Sequence, residues 1–388
     1  MTLATPIRHT TCDRRLSLAV FTIILLAGFA AQAGQQTIGL VLTDWHLATH
    51  ETPDAKEECP DGFQLGNVDN WQALYPTQAA RDEMHQKYGF TQHRGKNGEN
   101  IFVYPESGVD PLPFREIQNK ISYGANLDGK DTGEATLKTC PHENFVGPDG
   151  RTGVDNQLYR VLGCQKALRR GGFYDARFSE EKKTRISARF LVEISDVDDV
   201  QNDDSVIVST YKGRDKLVSD AAGNVIPWAT QRVDERGPRY MHHTRGKIVD
   251  GVLYSEPMDV LFSTATHNLV GETYIRDMRL ELKLSETQAQ GLMVGYHDLK
   301  QWWKSYAKQS MSREHVTPVS GPSVYQAVVR LADGHKDETT GQCTSISTAY
   351  DIGFTRAFIV HPEQGGDAAA DVGAGAKQIA ASATGSGE

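Results

Sequence analysis

No Gly-x-Ser-x-Gly elbow occurs in the folded part of this chain, and no His-Glu-x-x-His helix and no Cys-x-x-Cys pair occur anywhere in it. The local signatures of a serine hydrolase, a helical zinc protease, a dithiol redox site and covalently attached haem are therefore missing. Long apolar runs are missing as well. The longest, Leu16 to Ala30, has a core of about 15 residues, short of the roughly 20 that a bilayer-spanning helix requires. Positive charge is in deficit, with 41 Lys and Arg against 50 Asp and Glu and a formal charge of −9. An acidic surface repels phosphate backbones and anionic lipid, which argues against nucleic acid or a membrane surface as partner. Cysteine is sparse, at five in 388 residues.

The N-terminus reads as an export signal over residues 1–33. Arg14 and Arg15 precede the apolar run, which ends in Ala31-Gln32-Ala33, the small-x-small pattern of a cleavage site. Removing a leader that carries Arg8, Arg14, Arg15 and Asp13 takes the formal charge from −9 to −11 and discards Cys12. No stable membrane span is then expected. Cys59, Cys140, Cys164 and Cys343 remain, and an even count in an exported chain predicts two disulfides. Of the three connectivities, Cys140–Cys164 with Cys59–Cys343 is preferred, because residues 140–164 form a turn-rich loop feeding a short helix with a cysteine at either end. Asp155 is expected to cap that helix, Leu158, Val161 and Leu162 to give it an apolar stripe, and Gly163 to stop it in the left-handed conformation.

Residues 34–183 read as an irregular, disulfide-tied and partly helical region. A short helix over residues 69–74 ends at Pro76, and a second runs from Thr77 as cap to Tyr88. From Thr184 the pattern becomes alternation, in Ile186–Ile194, Ser205–Tyr211, Lys247–Tyr254 and Met278–Leu284. Period-two runs separated by Gly, Asp and Asn predict a mainly β fold, an antiparallel sandwich or barrel over residues 184–310. Val249-Asp-Gly-Val252 and Gly291–Gly295 mark hairpin or bulge positions. Asp298 to Lys308 returns to helical spacing as a closing helix, residues 311–360 pack on the body, and the Ala/Gly/Ser-rich residues 361–388 form a disordered tail.

In Cys59-Pro-Asp-Gly62, Cys140-Pro-His-Glu-Asn-Phe145, Gly153-Val-Asp-Asn156 through Cys164, Gln201–Asp204, Gly291–Tyr296 and Gly341–Thr348, the chain resembles a group of uncharacterised exported bacterial proteins that carry a Val-Asp-Asn segment ahead of a β-rich region. The resemblance covers most of the mature chain. It implies export, paired cysteines and a β-rich body, and brings no catalytic residue with it.

No cofactor is expected; if any ion binds it is calcium, at Asp128, Asp131, Asp149 or Asp155, where hard oxygen ligands gather near the Gly-rich turns. The competing reading of the same residues is Asx-turns and a helix cap. The acidic run Asp196–Asp204 lacks calcium-loop spacing and reads as a solvated turn. His242 and His243 point to opposite faces of a strand and would need His267 or His297 to complete a metal site. Trp228, Tyr240, Tyr254 and Tyr296 are the aromatics expected to face a ligand, with core packing as the alternative. The function expected is that of a periplasmic or secreted protein binding a ligand or an envelope partner without catalysis. The alternative is a polysaccharide-directed hydrolase, whose carboxylates would come from residues such as Glu193, Asp259 and Glu281.

Overall fold

A computed structural model describes residues 35–88, 94–109, 112–266, 269–305 and 321–362. The expected leader and nearly all of the expected tail lie outside the described residues. Eleven strands carry the fold: β1 (Gln36–Leu47), β2 (Phe190–Val197), β3 (Asp203–Lys212), β4 (Ala229–Arg232), β5 (His242–Val249), β6 (Val252–Ser255), β7 (Met258–Thr266), β8 (Leu269–Leu284), β9 (Gln288–Asp298), β10 (Gly334–Lys336) and β11 (Cys343–Val360). The helices are α1 (Asn67–Leu74), α2 (Gln78–Tyr88), α3 (Gln157–Leu162), α4 (Phe173–Thr184), α5 (residues 299–305) and α6 (Gly321–Arg330).

The antiparallel order β1-β2-β3-β5-β6-β8-β9-β11 returns to β1 through a β1–β11 ladder, so eight strands close a barrel. Closure removes the two sheet edges that an open β-sheet must otherwise protect. β7 continues the line of β6 along the other half of the long β8; Pro257, which cannot donate to a ladder, stands in the gap between them. The β5–β6 turn is Asp250-Gly251, both at positive φ, the geometry of the tightest hairpin connection. Gly291 lies so close to β8 that an added Cβ would stand 1.9 Å from the Glu281 carbonyl. At Gly295 the β8 register shifts between Arg276 and Arg279, which accommodates a bulge.

The barrel interior is filled by side chains. Leu42, Val192, Val208, Leu280, Met293 and Phe354 belong to one continuous core and are almost wholly inaccessible. Three strands lie outside the span expected to form the sheet: β1, the short β10 and β11. β1 is buried on both faces, so its sequence Ile38 to Leu42 reads as an apolar run without period-two alternation. β11 turns Ile346, Tyr350, Ile352 and Phe354 into the core, but its outward Ser345, Ser347 and Ala349 are also buried. Small residues on that face conceal the alternation and make room for a covering layer.

The covering layer is the irregular region around residues 112–165, laid on the outside of β8, β9 and β11. The Arg279 guanidinium donates to the carbonyls of Asn126 at 3.2 Å and Leu127 at 3.0 Å. α3 rests on β11, where the Gln157 amide donates to Ser347 Oγ at 2.9 Å. All six residues of α3 are buried, a wider burial than the stripe Leu158, Val161 and Leu162. Two expectations for this helix are corrected. Asn156, not Asp155, is the N-cap, its side chain accepting from the Tyr159 amide, and Gly163 ends the helix in the right-handed region at φ −65°. Asp155 faces the other way, into the layer beneath Leu127.

The disulfides are Cys59–Cys164 and Cys140–Cys343, which overturns the expected pairing. The reason lies in the path between Cys140 and Cys164. Phe145 pairs with Val154 in a reversal of the chain, and α3 then carries Cys164 to the 59–64 segment, where its carbonyl accepts from the Gln64 amide. Cys140 stays behind beside β10, its amide donating to the Asp333 carbonyl at 2.9 Å.

The other helical expectations hold where they are described. Thr77 Oγ1 accepts from the Ala80 amide at the start of α2, and α5 buries Trp302 and Trp303 against the core. Tyr306 lies outside the described residues.

Candidate functional site

Three loops of the covering layer and its neighbours converge where β11 presents small outward residues beside Tyr296 of β9. The first brings His142, two residues beyond the Cys140–Cys343 bond, with its amide donating to the Gly133 carbonyl. The second is the Val154-Asp155-Asn156 segment, whose Asp155 amide donates to the Ala125 carbonyl. The third is the turn between α6 and β10, which ends in Ala332-Asp333-Gly334 and is fixed by the Asp333 amide donating to the Ser345 carbonyl.

Their side chains meet in a closed space. His142 Nε2 and Asp155 Oδ1 are 2.8 Å apart, and the two side chains are 3% and 0% exposed. Asp155 Oδ2 accepts from the Leu127 amide at 2.7 Å and, at 3.3 Å, from that of Asp128. Asp333 is fully buried; its Oδ1 accepts from the Ser347 amide at 2.7 Å, and its Oδ2 has no partner. His142, Asp155 and Asp333 each place a metal-ligand atom within 4.8 Å of the other two. Among the described residues no other group of three or more His, Cys, Asp or Glu side chains has this property. Asp128 adds a carboxylate whose Oδ1 accepts from the Lys130 amide while Oδ2 is buried without a partner. The Tyr296 side chain closes the group from β9, its hydroxyl also buried and unpartnered.

The protons follow from the partners. His142 Nδ1 lies 2.9 Å from the Cys140 carbonyl and Nε2 faces a carboxylate, both acceptors, so both ring nitrogens carry hydrogen and the ring is an imidazolium. Burial pulls its pKa down, but the Asp155 bond, the Asp333 charge and the Cys140 carbonyl outweigh it and hold the ring up at about 9. Burial pushes Asp333 up to about 7 against the lowering effect of His142 and Ser347. Asp128 is also raised, by burial first and then by the charge of Asp155. Tyr296 is raised, mainly by burial and by the charge of Asp333. Three carboxylates facing one imidazolium leave surplus negative charge out of water, a costly arrangement unless protons or a cation neutralise it.

Of the residues singled out for calcium, the structure brings Asp128 and Asp155 together here. Asp131 Oδ1 instead takes the Thr152 hydroxyl at 3.0 Å, and Asp149 is paired with Arg151 at 2.6 Å on the surface. The alternative reading of this stretch is also present: Gly129 and Lys130 amides close Asx-turns on Asn126 and Asp128. The Asp196–Asp204 run is a turn, with Asp203 accepting from the Asp198 and Ser205 amides.

The four aromatics do not form one face. Trp228 stands beside Phe358, the Tyr240 hydroxyl donates to Glu272, Tyr254 lies exposed on β6, and Tyr296 is inside the cluster. Among the described residues the other histidines join no group of three metal-competent side chains. His242 Nε2 sits at the Leu261 backbone, and His297 is inside the barrel, 2.7 Å from the Tyr350 hydroxyl. His267 lies outside the described residues. The carboxylates suggested for hydrolysis each have a separate partner: Glu193 has His361, Asp259 has Tyr274, and Glu281 has Arg151.

His142 and Asp333 escaped the sequence reading because they are 191 positions apart in the numbering. The usable signal was the disulfide, since Cys140 is two residues from His142 and Cys343 pairs in register with Lys336 on β10, three residues past Asp333. Comparison with known protein families, with curated proteins and with solved structures finds no match.

Proposed function

We propose that the protein is exported and acts by binding a ligand or partner at its outer surface, without catalysis. The observation that carries this reading is the burial of the barrel interior and of the groups that converge beside it. A continuous core of buried side chains occupies the barrel, and the convergent His142, Asp155 and Asp333 side chains lie beneath the covering layer. A substrate must touch the groups that act on it, and neither place admits one. Two disulfides that close loops of more than a hundred residues support a life in an oxidising compartment such as the periplasm or the extracellular space.

The hydrolase alternative has one observation in its favour, the convergence of Asp155 and Asp333 with the latter held up at about 7. Their burial counts against it. Fractionation of the producing cell, followed by a screen of the purified protein against polysaccharide, ester and peptide substrates, tests both readings. The expected result is protein outside the cytoplasm, four unreactive cysteines and no turnover. Turnover abolished by Asp333→Asn or Glu193→Gln replaces the binding reading with the hydrolytic one.

A further inference from the structure

We propose that His142, Asp155 and Asp333 bind a divalent transition cation, with zinc as the reference ion, as a structural centre that pins the covering layer to the barrel. The proposal is independent of whether the protein binds or cleaves its target.

The donor chemistry selects the class of ion. One imidazole nitrogen with two carboxylates is the set that zinc and its neighbours accept in four-coordinate sites, whereas calcium collects six to eight oxygens and has no use for a ring nitrogen. Ligands about 2.0–2.2 Å from a tetrahedral ion stand about 3.3–3.6 Å apart, so the 2.8 Å His142–Asp155 pair must open slightly, with all three ligand atoms already within 4.8 Å of one another.

Two further observations point to an ion and are separate from the cluster itself. Asp333 Oδ2, on a residue with no exposure, has no hydrogen-bond partner, and the same holds for the hydroxyl of Tyr296, a residue 4% exposed. A buried oxygen left unpaired costs about 1–3 kcal/mol, more when charged, and two in one place call for a shared partner. Asp128 Oδ2 is likewise buried and unpaired, on a residue whose amide donates to Asp155.

The cation also answers the charge surplus. In the ion-free arrangement a proton occupies the 2.8 Å gap between His142 Nε2 and Asp155 Oδ1. Metal binding moves Nε2 and Oδ1 apart around the ion: the Nε2–H proton passes to solvent, Nε2 becomes a neutral donor, and Nδ1–H keeps its bond to the Cys140 carbonyl. That remaining bond is the second-shell contact that orients a metal-bound histidine. The three ligands come from three separate segments, so one ion joins the 133–142 loop, the Val-Asp-Asn segment and the approach to β10.

The test uses the untagged mature protein, purified without chelator. Elemental analysis should find about one equivalent of zinc or a neighbouring transition ion. Stripping with dipicolinate should lower the melting temperature, and added zinc should restore it while calcium does not. Cobalt(II) added to the stripped protein should give the strong visible absorption of a four-coordinate site, bleached by zinc. Asp333→Asn keeps the side-chain shape and should weaken zinc binding by more than the roughly 10–100-fold that loss of an outer-shell partner costs, while Glu281→Gln, on the surface, should leave it unchanged. Should Asp333→Asn fail to fold, nitrogen-15 NMR of histidine-labelled wild-type protein decides the matter: zinc should convert one doubly protonated ring to a metal-bound one. A melting curve indifferent to zinc, cobalt and chelator overturns the proposal, as do equal zinc affinity in Asp333→Asn, stabilisation by calcium alone, or zinc binding that alters no histidine.

Discussion

Cys140 and Cys343 are bonded across 203 positions of the chain, and beside the bond the Cys140 amide donates to the Asp333 carbonyl. Covalent and hydrogen-bonded contacts thus hold the covering layer to β10 and β11 at the same point. Non-reducing peptide mapping should recover a peptide joining Cys59 to Cys164 and another joining Cys140 to Cys343. In the chain-entropy account, loops of this length each contribute about 4–5 kcal/mol. The double variant Cys140→Ala/Cys343→Ala should therefore lose about 2–5 kcal/mol in a denaturant titration, the range measured when native bridges are removed. A peptide joining Cys140 to Cys164 would contradict the structure.

Asn156 should be among the costliest polar positions to change. Its amide nitrogen donates to the Ala48 carbonyl, Ser122 Oγ and the Tyr123 carbonyl, and its oxygen accepts from the Tyr159 and Ala349 amides. Asn156→Ala strands these buried groups and removes a helix cap, an expected loss of about 3–5 kcal/mol. Asn156→Asp should do no better, because a carboxylate cannot donate to the two carbonyls. Chemical denaturation of both variants checks the ordering.

Acid should destabilise the barrel through His297. Burial drives its pKa down to about 3, against the ordinary 6.5. The folded state then binds fewer protons than the unfolded state between these values, so stability rises with pH across that window and is flat for this group above it. Going from pH 6.5 to 4.5 should cost about 2–3 kcal/mol from this residue. His297→Gln should flatten the pH dependence of stability by that amount relative to wild type, whatever its effect at neutral pH.

Gly291→Ala should destabilise by about 1–3 kcal/mol, because its methyl would overlap the Glu281 carbonyl and force β8 and β9 apart. Gly150→Ala meets nothing within 4 Å and should cost only the strain of its positive φ, about 1 kcal/mol. A melting curve for each variant separates the two cases.

The barrel was readable wherever one face of a strand meets water. β3, β5, β6 and β8 alternate for that reason, and Asp250-Gly251 announces their hairpin. β1 and β11 were not readable, since the covering layer and neighbouring loops bury their outer faces as well. At the site the sequence pointed to Asp128 and Asp155 through turn chemistry but gave them the wrong companions. His142 and Asp333 are ordinary residues in the one-dimensional pattern. Only the pairing of Cys140 with Cys343 and of β10 with β11 makes them neighbours. Asp155 was assigned the cap because Asp and Asn are equally good at that task. The choice between it and Asn156 is made by tertiary contacts, with Leu127 and His142 drawing Asp155 inward.

The ladder between β1 and β11 ties folding to the order in which the chain emerges. β1 starts at Gln36 and takes its partner from residues 350–356, so the first strand out must wait for nearly the last before its free edge is covered. Contacts of such sequence separation make for slow folding and leave a sticky, half-paired intermediate for as long as the wait lasts. A chain built this way closes its barrel in a single late step, once β11 has reached β1.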